Sequence, residues 1–559
     1  SAGRPPCYLG LLSNCITYCP VGIGFLILYI ITLGVLCQAI YYCRYYAMTT
    51  AVGAHQRKAG LQVKMNGHHD GVPVNGTAPV VNGGASTTNG GVPVVNGDAP
   101  TVDGDTRSWE EQFLPPPLRI DDEERARKIE ERLAGLVLDG AALRRVAAVF
   151  ERELEAGLQQ RASSLQMENT YVPELPDGTE EGLFLALDLG GTNFRILVVE
   201  LKNGQLVRED VKHYHISDEL RVGPGVDLFE FLADCVQDFL KAEGMENESL
   251  SLGFTFSFPM KQHSISSGEL ITWTKSFKCG GLAGADVAAL LQACLRRRRL
   301  PVSVRVLLND TTGTLVAGAQ ADPLVGIGVI LGTGSNGCYM ERAARVGHWG
   351  AAAPRGDHVC VDVEWGAFGD NGCIDFIRTD VDREVDQHSL LVNSFTFEKY
   401  IGGKYLGALL GVALAALAGR GLFPAAPGPA ALQAADLSLF EEESCRGETR
   451  GTLAALRAAL PAAQLSEQDA LVAQYVAQVV SNRAAQLVSV CISSLVARMA
   501  RPLVAVAVDG SVYKRHPRIA ALMHKYIALL APHHPVRISP CTSGTRASPR
   551  SSAASSAVD

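Results

Sequence analysis

This chain of 559 residues lacks any excess of positive charge, because its formal net charge is -8. It therefore offers no electrostatic basis for binding nucleic acid or an anionic membrane. The only dense basic run, the four arginines at 296–299, follows an apolar helical pattern and is typical of a solvated helix end. The 14 cysteines include no Cys-x-x-Cys pair, which argues against zinc and dithiol sites and favours free thiols in a reducing cytosol.

Two common nucleotide-binding signatures are also absent. The chain has no Walker A sequence and no His-Arg-Asp loop, so neither P-loop nor protein-kinase machinery is predicted. Residues 332–337 match the dinucleotide pattern G-x-G-x-x-G, but residues 338–341 do not begin a crossover helix. A dinucleotide oxidoreductase is therefore a distant alternative.

Charge is missing again near the amino terminus, where residues 5–43 contain no charged side chain. Residues 21–42 are almost wholly apolar and long enough to cross a bilayer, and the basic residues that follow predict a cytoplasmic location for the rest. The first methionine is Met48, so residues 1–47 have two interpretations, a membrane anchor or upstream sequence mistranslated in a gene model. We expect a cytosolic protein, with a tether to a membrane or to the mitochondrial surface as the alternative.

Residues 48–108 form a low-complexity tract in which GVPVNG at 71–76 recurs as GVPVVNG at 91–97. This composition cannot bury a core, so we predict a disordered linker. From about residue 109 onward, predicted strands are interspersed with predicted helices, which indicates an α/β class. We place two domains at 109–313 and 314–540, followed by a tail at 541–559.

A glycine turn between two predicted strands is the most informative motif. Residues 185–195 have the sequence LALDLGGTNFR, in which an apolar strand ends in an acid, turns on two glycines and resumes as a second strand. The glycines allow the backbone to approach a ligand closely, and the flanking side chains add donors and a carboxylate that orients a metal. This set suits a polyphosphate held with a divalent cation, and an ordinary Gly-Gly hairpin is the open alternative.

A second turn of the same kind, Gly-Thr-Gly at 332–334, follows the predicted strand at 325–331. Two such hairpins indicate two similar halves that face one polyphosphate. Asp310 lies between them, directly after the predicted strand at 302–308. A carboxylate there can receive the proton of a phosphoryl acceptor, and the alternative is that Asp310 caps the following helix.

Four further segments complete a pattern that resembles the hexokinase family, which includes the glucokinases. They are LGFTFSFP at 252–259, WTK at 273–275, EWGAFG at 364–369, and FEKY at 397–400 with YLG at 405–407. The resemblance covers roughly residues 110–540 and indicates a single catalytic unit. It implies an actin-like ATPase (ribonuclease H-like) fold, in which a small domain (109–313) and a large domain (314–540) surround a cleft.

The resemblance also implies an activity and the residues that perform it. The reaction is phosphorylation of a hexose, glucose above all, at its 6-hydroxyl by ATP with Mg²⁺, the first step of glycolysis. The sugar-site positions are Ser257, Thr274, Lys275, Asn309, Asp310, Asn336, Glu364 and Glu398. Among these, Asp310 corresponds to the general base, and Lys275 to a residue that stabilises the transferred phosphoryl group.

The implied ATP contacts come from three turns. They are Asp188, Gly190, Gly191, Thr192, Asn193 and Arg195, then Gly332, Thr333 and Gly334, and finally Gly510 and Ser511. No residue is predicted as a direct metal ligand. Taken singly, several motif residues have simpler interpretations. Glu364 and Glu398 are interpretable as solvated surface acids, and Trp273 is interpreted as packing rather than as a ligand.

The chain departs from the family at two places. Asp362 stands where the family usually has Asn, which either adds a negative charge near the sugar site or is a neutral surface change. After PVRIS at 535–539, the family continues with an acidic Asp-Gly-Ser-Gly turn and an Ala-rich helix, whereas this chain continues PCTSGTRASPR. We expect lower activity or stability as a result. The alternative function is a catalytically impaired, hexokinase-like sugar sensor or scaffold.

Overall fold

The computed structural model describes residues 108–541, apart from 191–192, 275–276, 350–355 and 429. The predicted anchor at 1–47, almost all of the linker at 48–108 and the tail after Cys541 lie outside the described residues. So do three predicted site residues, Gly191, Thr192 and Lys275.

Thirteen strands are assigned within the described part of the chain. They are β1 (Glu168–Asn169), β2 (Gly182–Leu189), β3 (Asn193–Lys202), β4 (Gln205–His215), β5 (Leu250–Phe256), β6 (Met260–Ser264), β7 (Ser267–Leu270), β8 (Val302–Leu308), β9 (Val325–Leu331), β10 (Ser335–Arg342), β11 (His358–Asp362), β12 (Val504–Asp509) and β13 (Val536–Pro540).

Fourteen α-helices are assigned in the same residues. They are α1 (Glu123–Leu133), α2 (Gly140–Leu158), α3 (Asp218–Val222), α4 (Gly225–Ala242), α5 (Val287–Arg297), α6 (Asp310–Ala321), α7 (Asp380–Gln387), α8 (Thr396–Ile401), α9 (Gly403–Ala418), α10 (Ala434–Arg446), α11 (Arg450–Ala459), α12 (Glu467–Met499), α13 (Ser511–Arg515) and α14 (Ile519–Leu530). The predicted α/β class is confirmed.

The first sheet has five strands in the order β4-β3-β2-β5-β8. Its first three strands are antiparallel neighbours, and β5 and β8 run parallel to β2. The predicted glycine hairpin connects β2 to β3, as expected from the apolar runs on either side. The carboxyl ends of β2, β5 and β8 therefore meet at one edge of the sheet.

The second sheet repeats this arrangement in the order β1-β11-β10-β9-β12-β13. Here β9, β10 and β11 are antiparallel neighbours, and β12 and β13 run parallel to β9. The prediction of two similar halves is confirmed. Pro540 ends the edge strand β13, a position where the missing N–H of proline is tolerated.

Three hydrophobic cores hold the structure together. One surrounds the second sheet, a second lies between the first sheet and helices α4 and α5, and a third connects the two sheets. Helices α1 and α2 precede the first sheet in sequence but belong to the core of the second sheet. The predicted domain 109–313 therefore contributes to the core around the second sheet as well as to the core of the first sheet. Its boundary at 313 stays a prediction.

Helix α12 is the central element of the core around the second sheet. Among the described residues it is the one helix long and apolar enough to cross a membrane, and its apolar window is wholly buried within the protein. Arg483, near its middle, is paired with the equally buried Asp382 at 2.7 and 2.9 Å. Both observations are typical of a core helix.

Candidate active site

The carboxyl end of β8 places Asn309 and Asp310 at the junction of the two sheets. Asn309 is the N-cap of α6, because its side-chain oxygen accepts a hydrogen bond from the Thr311 amide at 2.9 Å. Asp310 is the first helical residue and is half-buried. The interpretation of Asp310 as the cap is therefore wrong. Helix α6 then packs against β9 and β12 of the second sheet.

Glu364 approaches the same point from the second sheet, in a short turn after β11. Its backbone is left-handed (φ 52°), a conformation that costs a non-glycine residue about 1 kcal/mol and is often found at functional sites. The neighbouring Trp365 is fully buried and donates to Ser335 Oγ at 3.0 Å. Asn309 Nδ2 donates to Glu364 Oε1 at 3.4 Å, which joins the two sheets at the site.

Glu398 lies in α8, whose start is also held in a strained conformation. Phe395, just before the helix, has a φ of 57°, and Asp370 accepts hydrogen bonds from the amides of Phe395 and Thr396 at 2.9 and 2.8 Å. The Glu398 carboxylate accepts from the Ser335 amide at 3.3 Å. Both Glu364 and Glu398 are half-buried, so the interpretation of them as solvated surface acids is wrong.

Asp362 is only 4 % exposed, which overturns the interpretation of it as a neutral surface change. Its carboxylate accepts a hydrogen bond from Asn336 Nδ2 at 2.8 Å, so Asp362 orients the carboxamide of a predicted sugar-site residue. Across the sheet it is the register partner of Glu168 on β1, another buried acid. Sequence reasoning missed Glu168, because the pairing of β1 with β11 is not encoded in any local pattern.

Burial and neighbouring carboxylates raise the pKa of two of these acids, Glu364 and Asp362. Burial raises the pKa of Glu364 well above its usual range, and the nearby Asp362, Asp310, Glu398 and Glu168 carboxylates raise it further. Burial likewise raises the pKa of Asp362, with Cys360, Asp310 and Glu168 acting in the same direction and the bond from Asn336 opposing them. Like charges in a low dielectric disfavour joint ionisation, so Glu364 and Asp362 hold their protons to a higher pH than an exposed carboxyl group does.

Two predicted sugar-site residues lie on the side of the first sheet. Ser257, directly after β5, is buried, and its amide donates to Leu189 O at the end of β2 at 3.4 Å. Thr274 is half-buried. The adjacent Trp273 packs edge-on against Phe256 and Phe258, and its indole N–H donates to a backbone carbonyl at 2.8 Å. The packing interpretation of Trp273 is confirmed.

The first glycine turn is anchored by a buried ion pair. Arg195 and Asp188 are register partners on β3 and β2, and their side chains are 2.5 Å apart. The Asp188 carboxylate is therefore already held by a cation of the protein. Gly190 is half-buried and directly follows β2, and the Asn193 side chain lies outside the described part of the structure.

The second and third turns are in contact with each other. A Cβ on Gly510, whose φ is 116°, would lie 2.3 Å from the Leu331 carbonyl carbon, so only glycine suits this position. Gly332 lies next to Gly510, and the side chains of Thr333 and Ser511 are exposed beside this junction. The second turn connects the antiparallel strands β9 and β10 and opens no helix, which argues against a dinucleotide site.

The start of α9 joins the second turn, a contact that sequence reasoning missed. The Gly403 amide donates to Gly332 O at 2.8 Å, and the Lys404 amide donates to Thr333 O at 3.0 Å. Lys404 is exposed at this point. The available signal was the pair Gly402-Gly403, which separates α8 from α9. No group of three metal-ligating side chains occurs among residues 108–541 as described.

Comparison with known proteins identifies the family. Two family models, both described as hexokinase, match residues 128–320 and 326–547. Mouse hexokinase-1 is 40% identical over 430 residues, which are 73% of this chain and 43% of that protein. Human hexokinase-3 is 39% identical over 420 residues, 73% of this chain and 44% of that protein. The chain thus spans about half the length of the curated relatives that it matches.

Solved structures agree with the sequence relatives. The structure of hexokinase from Schistosoma mansoni complexed with glucose has a TM-score of 0.69 at 33% identity, covering 75% of this chain and 96% of that one. Another hexokinase crystal structure has a TM-score of 0.64 at 29% identity, and the match covers 75% of this chain and 97% of that one. The predicted actin-like ATPase fold is confirmed, and the chain belongs to the hexokinase family.

Proposed function

We propose that this chain transfers the γ-phosphoryl group of ATP to the 6-hydroxyl of a hexose, glucose above all, giving hexose 6-phosphate and ADP. The observation that carries this proposal is a hydrogen bond between the two sheets. Asn309, the neighbour of Asp310, donates from Nδ2 to Glu364 Oε1 at 3.4 Å, which brings Asp310 and Glu364 to the same site. One hexokinase of known structure that shares this fold, from Schistosoma mansoni, was solved in complex with glucose. Membership of the family supports sugar phosphorylation in general.

The polar groups of the site match the chemistry of a hexose. A sugar presents a ring of hydroxyls, and each can donate to a carboxylate or accept from an amide. Glu364 and Glu398 supply acceptors, and Asn309 and Asn336 supply carboxamides. Such a site discriminates against analogues that lack a hydroxyl, because its own buried polar groups would be left unpaired.

Asp310 is the group that we propose to receive the proton of the 6-hydroxyl. Asn309, not Asp310, satisfies the first turn of α6, so the Asp310 carboxylate is not consumed in capping. Asp310 begins a helix that is buried in the core connecting the two sheets, and this packing holds it firmly. Lys275, outside the described residues, is proposed to stabilise the transferred phosphoryl group.

The glycine turns match a polyphosphate. Close backbone contact at Gly510 and the exposed hydroxyls of Thr333 and Ser511 provide a polar surface with little steric obstruction. Mg²⁺, when bound, neutralises charge on the phosphate oxygens. Because Asp188 is paired with Arg195, we propose that the cation is held mainly by the phosphates of the nucleotide.

The test of the proposed base is Asp310→Ala in a coupled hexose-phosphorylation assay. Removing a positioned base lowers turnover by about a hundredfold or more, whereas glucose binding measured by calorimetry should persist. Asp322→Ala, at the other end of α6, is the matched control, because it removes two surface contacts outside the site, the pair with Arg537 and a hydrogen bond from the Leu324 amide. Near-normal turnover in Asp310→Ala would contradict the assignment, and glucose binding without ADP release in the wild-type chain would favour the sugar-sensor alternative.

We also propose a cytosolic location. The support is the sequence alone, since the single segment proposed for membrane contact is residues 21–42. Fractionation of cells that express the full chain, compared with a chain that begins at Met48, tests this proposal. Membrane association of both chains would contradict it.

A further inference from the structure

The sugar-site acid Glu398 rests directly on the second glycine turn. Its Oε2 atom accepts a hydrogen bond from the Ser335 amide at 3.3 Å. A Cβ added to Gly334 would lie 2.4 Å from the same oxygen, well inside van der Waals contact. The carboxylate therefore occupies the space that any other residue at position 334 would fill.

The backbone around Glu398 is fixed to the same turn. Glu398 O accepts from the Gly402 amide at 2.7 Å, and the next residue, Gly403, donates to Gly332 O at 2.8 Å. Lys404 donates to Thr333 O at 3.0 Å. The segment 398–404 and the turn 332–335 thus contact each other through both backbone and side chain.

We infer that the second glycine turn, assigned above to the nucleotide, also positions the sugar carboxylate, with Gly334 as a positioning residue for Glu398. This inference rests on the proposed function of the site. It predicts that a change at Gly334 alters sugar affinity even when no nucleotide is present. A turn that served the nucleotide alone would not have this property.

The geometry makes Gly334 a selective probe of this role. Its backbone is not among those with positive φ, so alanine causes no conformational strain there. The atom nearest to the added Cβ is the far end of the flexible Glu398 side chain. Alanine is therefore accommodated by moving the carboxylate, while the backbone of the turn stays in place.

The experiment is calorimetric titration of Gly334→Ala with glucose in the absence of nucleotide. We expect affinity to fall by about tenfold, as for loss of a charge-assisted hydrogen bond in a shielded site. Gly419→Ala, at the end of α9, is the matched control, because the added Cβ meets only ordinary contacts at 3.7 and 3.8 Å. The control should bind glucose as the wild type does, and both variants should keep the wild-type melting temperature.

A double-mutant cycle with Glu398→Gln decides whether the effect passes through Glu398. If it does, Gly334→Ala costs less affinity in the Glu398→Gln background than in the wild type. Equal losses in both backgrounds, or a loss confined to the KM for ATP, would overturn the inference. Both outcomes are distinct from failure of the proposed function, which is shown by glucose binding without phosphorylation in the wild-type chain.

Discussion

Protonation of one buried histidine is predicted to destabilise the region around the third turn. His516 follows α13 and is 5 % exposed. Its Nδ1 accepts hydrogen bonds from the amides of Arg518 and Ile519 at 3.2 and 3.1 Å, so the ring proton lies on Nε2, which donates to Ser481 Oγ at 3.0 Å. A second proton on Nδ1 would face two donors. Burial and the Arg518 charge accordingly lower the pKa of His516 to about 4.

The magnitude follows from linkage between protonation and folding. The unfolded chain binds this proton near pH 6.5, whereas the folded chain binds it only near pH 4. The unfolded state therefore holds more protons between these values, and the free energy of unfolding falls as pH decreases. The loss amounts to about 2 kcal/mol at pH 5 and about 3 kcal/mol at pH 4.

The assay is guanidinium unfolding of the wild type and of His516→Asn at intervals from pH 7 to pH 4. Asparagine keeps an acceptor near the position of Nδ1 but does not titrate, so the variant should lose less stability on acidification than the wild type. His533→Asn, which removes an exposed histidine, should follow the wild-type curve. Identical pH dependence in wild type and His516→Asn would refute the reasoning.

Two further changes test the site. Asp362→Asn should raise glucose affinity relative to the wild type by a factor that grows as the pH rises. Burial delays the ionisation of Asp362 to a higher pH than usual, and its ionisation adds a charge to the acid cluster that the asparagine cannot add. Parallel affinity profiles for the two proteins in calorimetry would contradict this. Gly510→Ala should lower stability by about 1–3 kcal/mol and raise the KM for ATP, since its Cβ would clash with the Leu331 carbonyl carbon at 2.3 Å. An unchanged melting temperature and KM would count against the assigned close approach.

The glycine turns could be predicted from sequence because they are local. Apolar runs on both sides of the turns at 190–191 and 332–334 specify strands, and the structure has strands there. Asp310 was ambiguous for the same reason, since a residue after a strand can either cap a helix or begin it. The choice depended on its neighbour Asn309, which takes the cap.

The acid cluster could not be predicted, because it depends on pairing between distant strands. Asp362 and Glu168 become neighbours only when β1 adds to the edge of β11. The sequence showed that Asp362 was unusual, but not whether it was buried. The contact of Gly403 with Gly332 is likewise set by the packing of α9 on the second sheet, which no local pattern reports.

Helix α6 has a consequence for any attempt to express the two halves as separate fragments. The helix begins at the proposed base, yet Leu315 and Ala319 are buried in the core between the sheets. A fragment that stopped at residue 313 would leave Asp310 on a single helical turn, too short to persist alone. The partner fragment would lack α1 and α2 and would expose the apolar surface that they cover. The repeated sheet arrangement therefore does not give two autonomous modules, and the two halves must be made as one chain for Asp310 to be held in place.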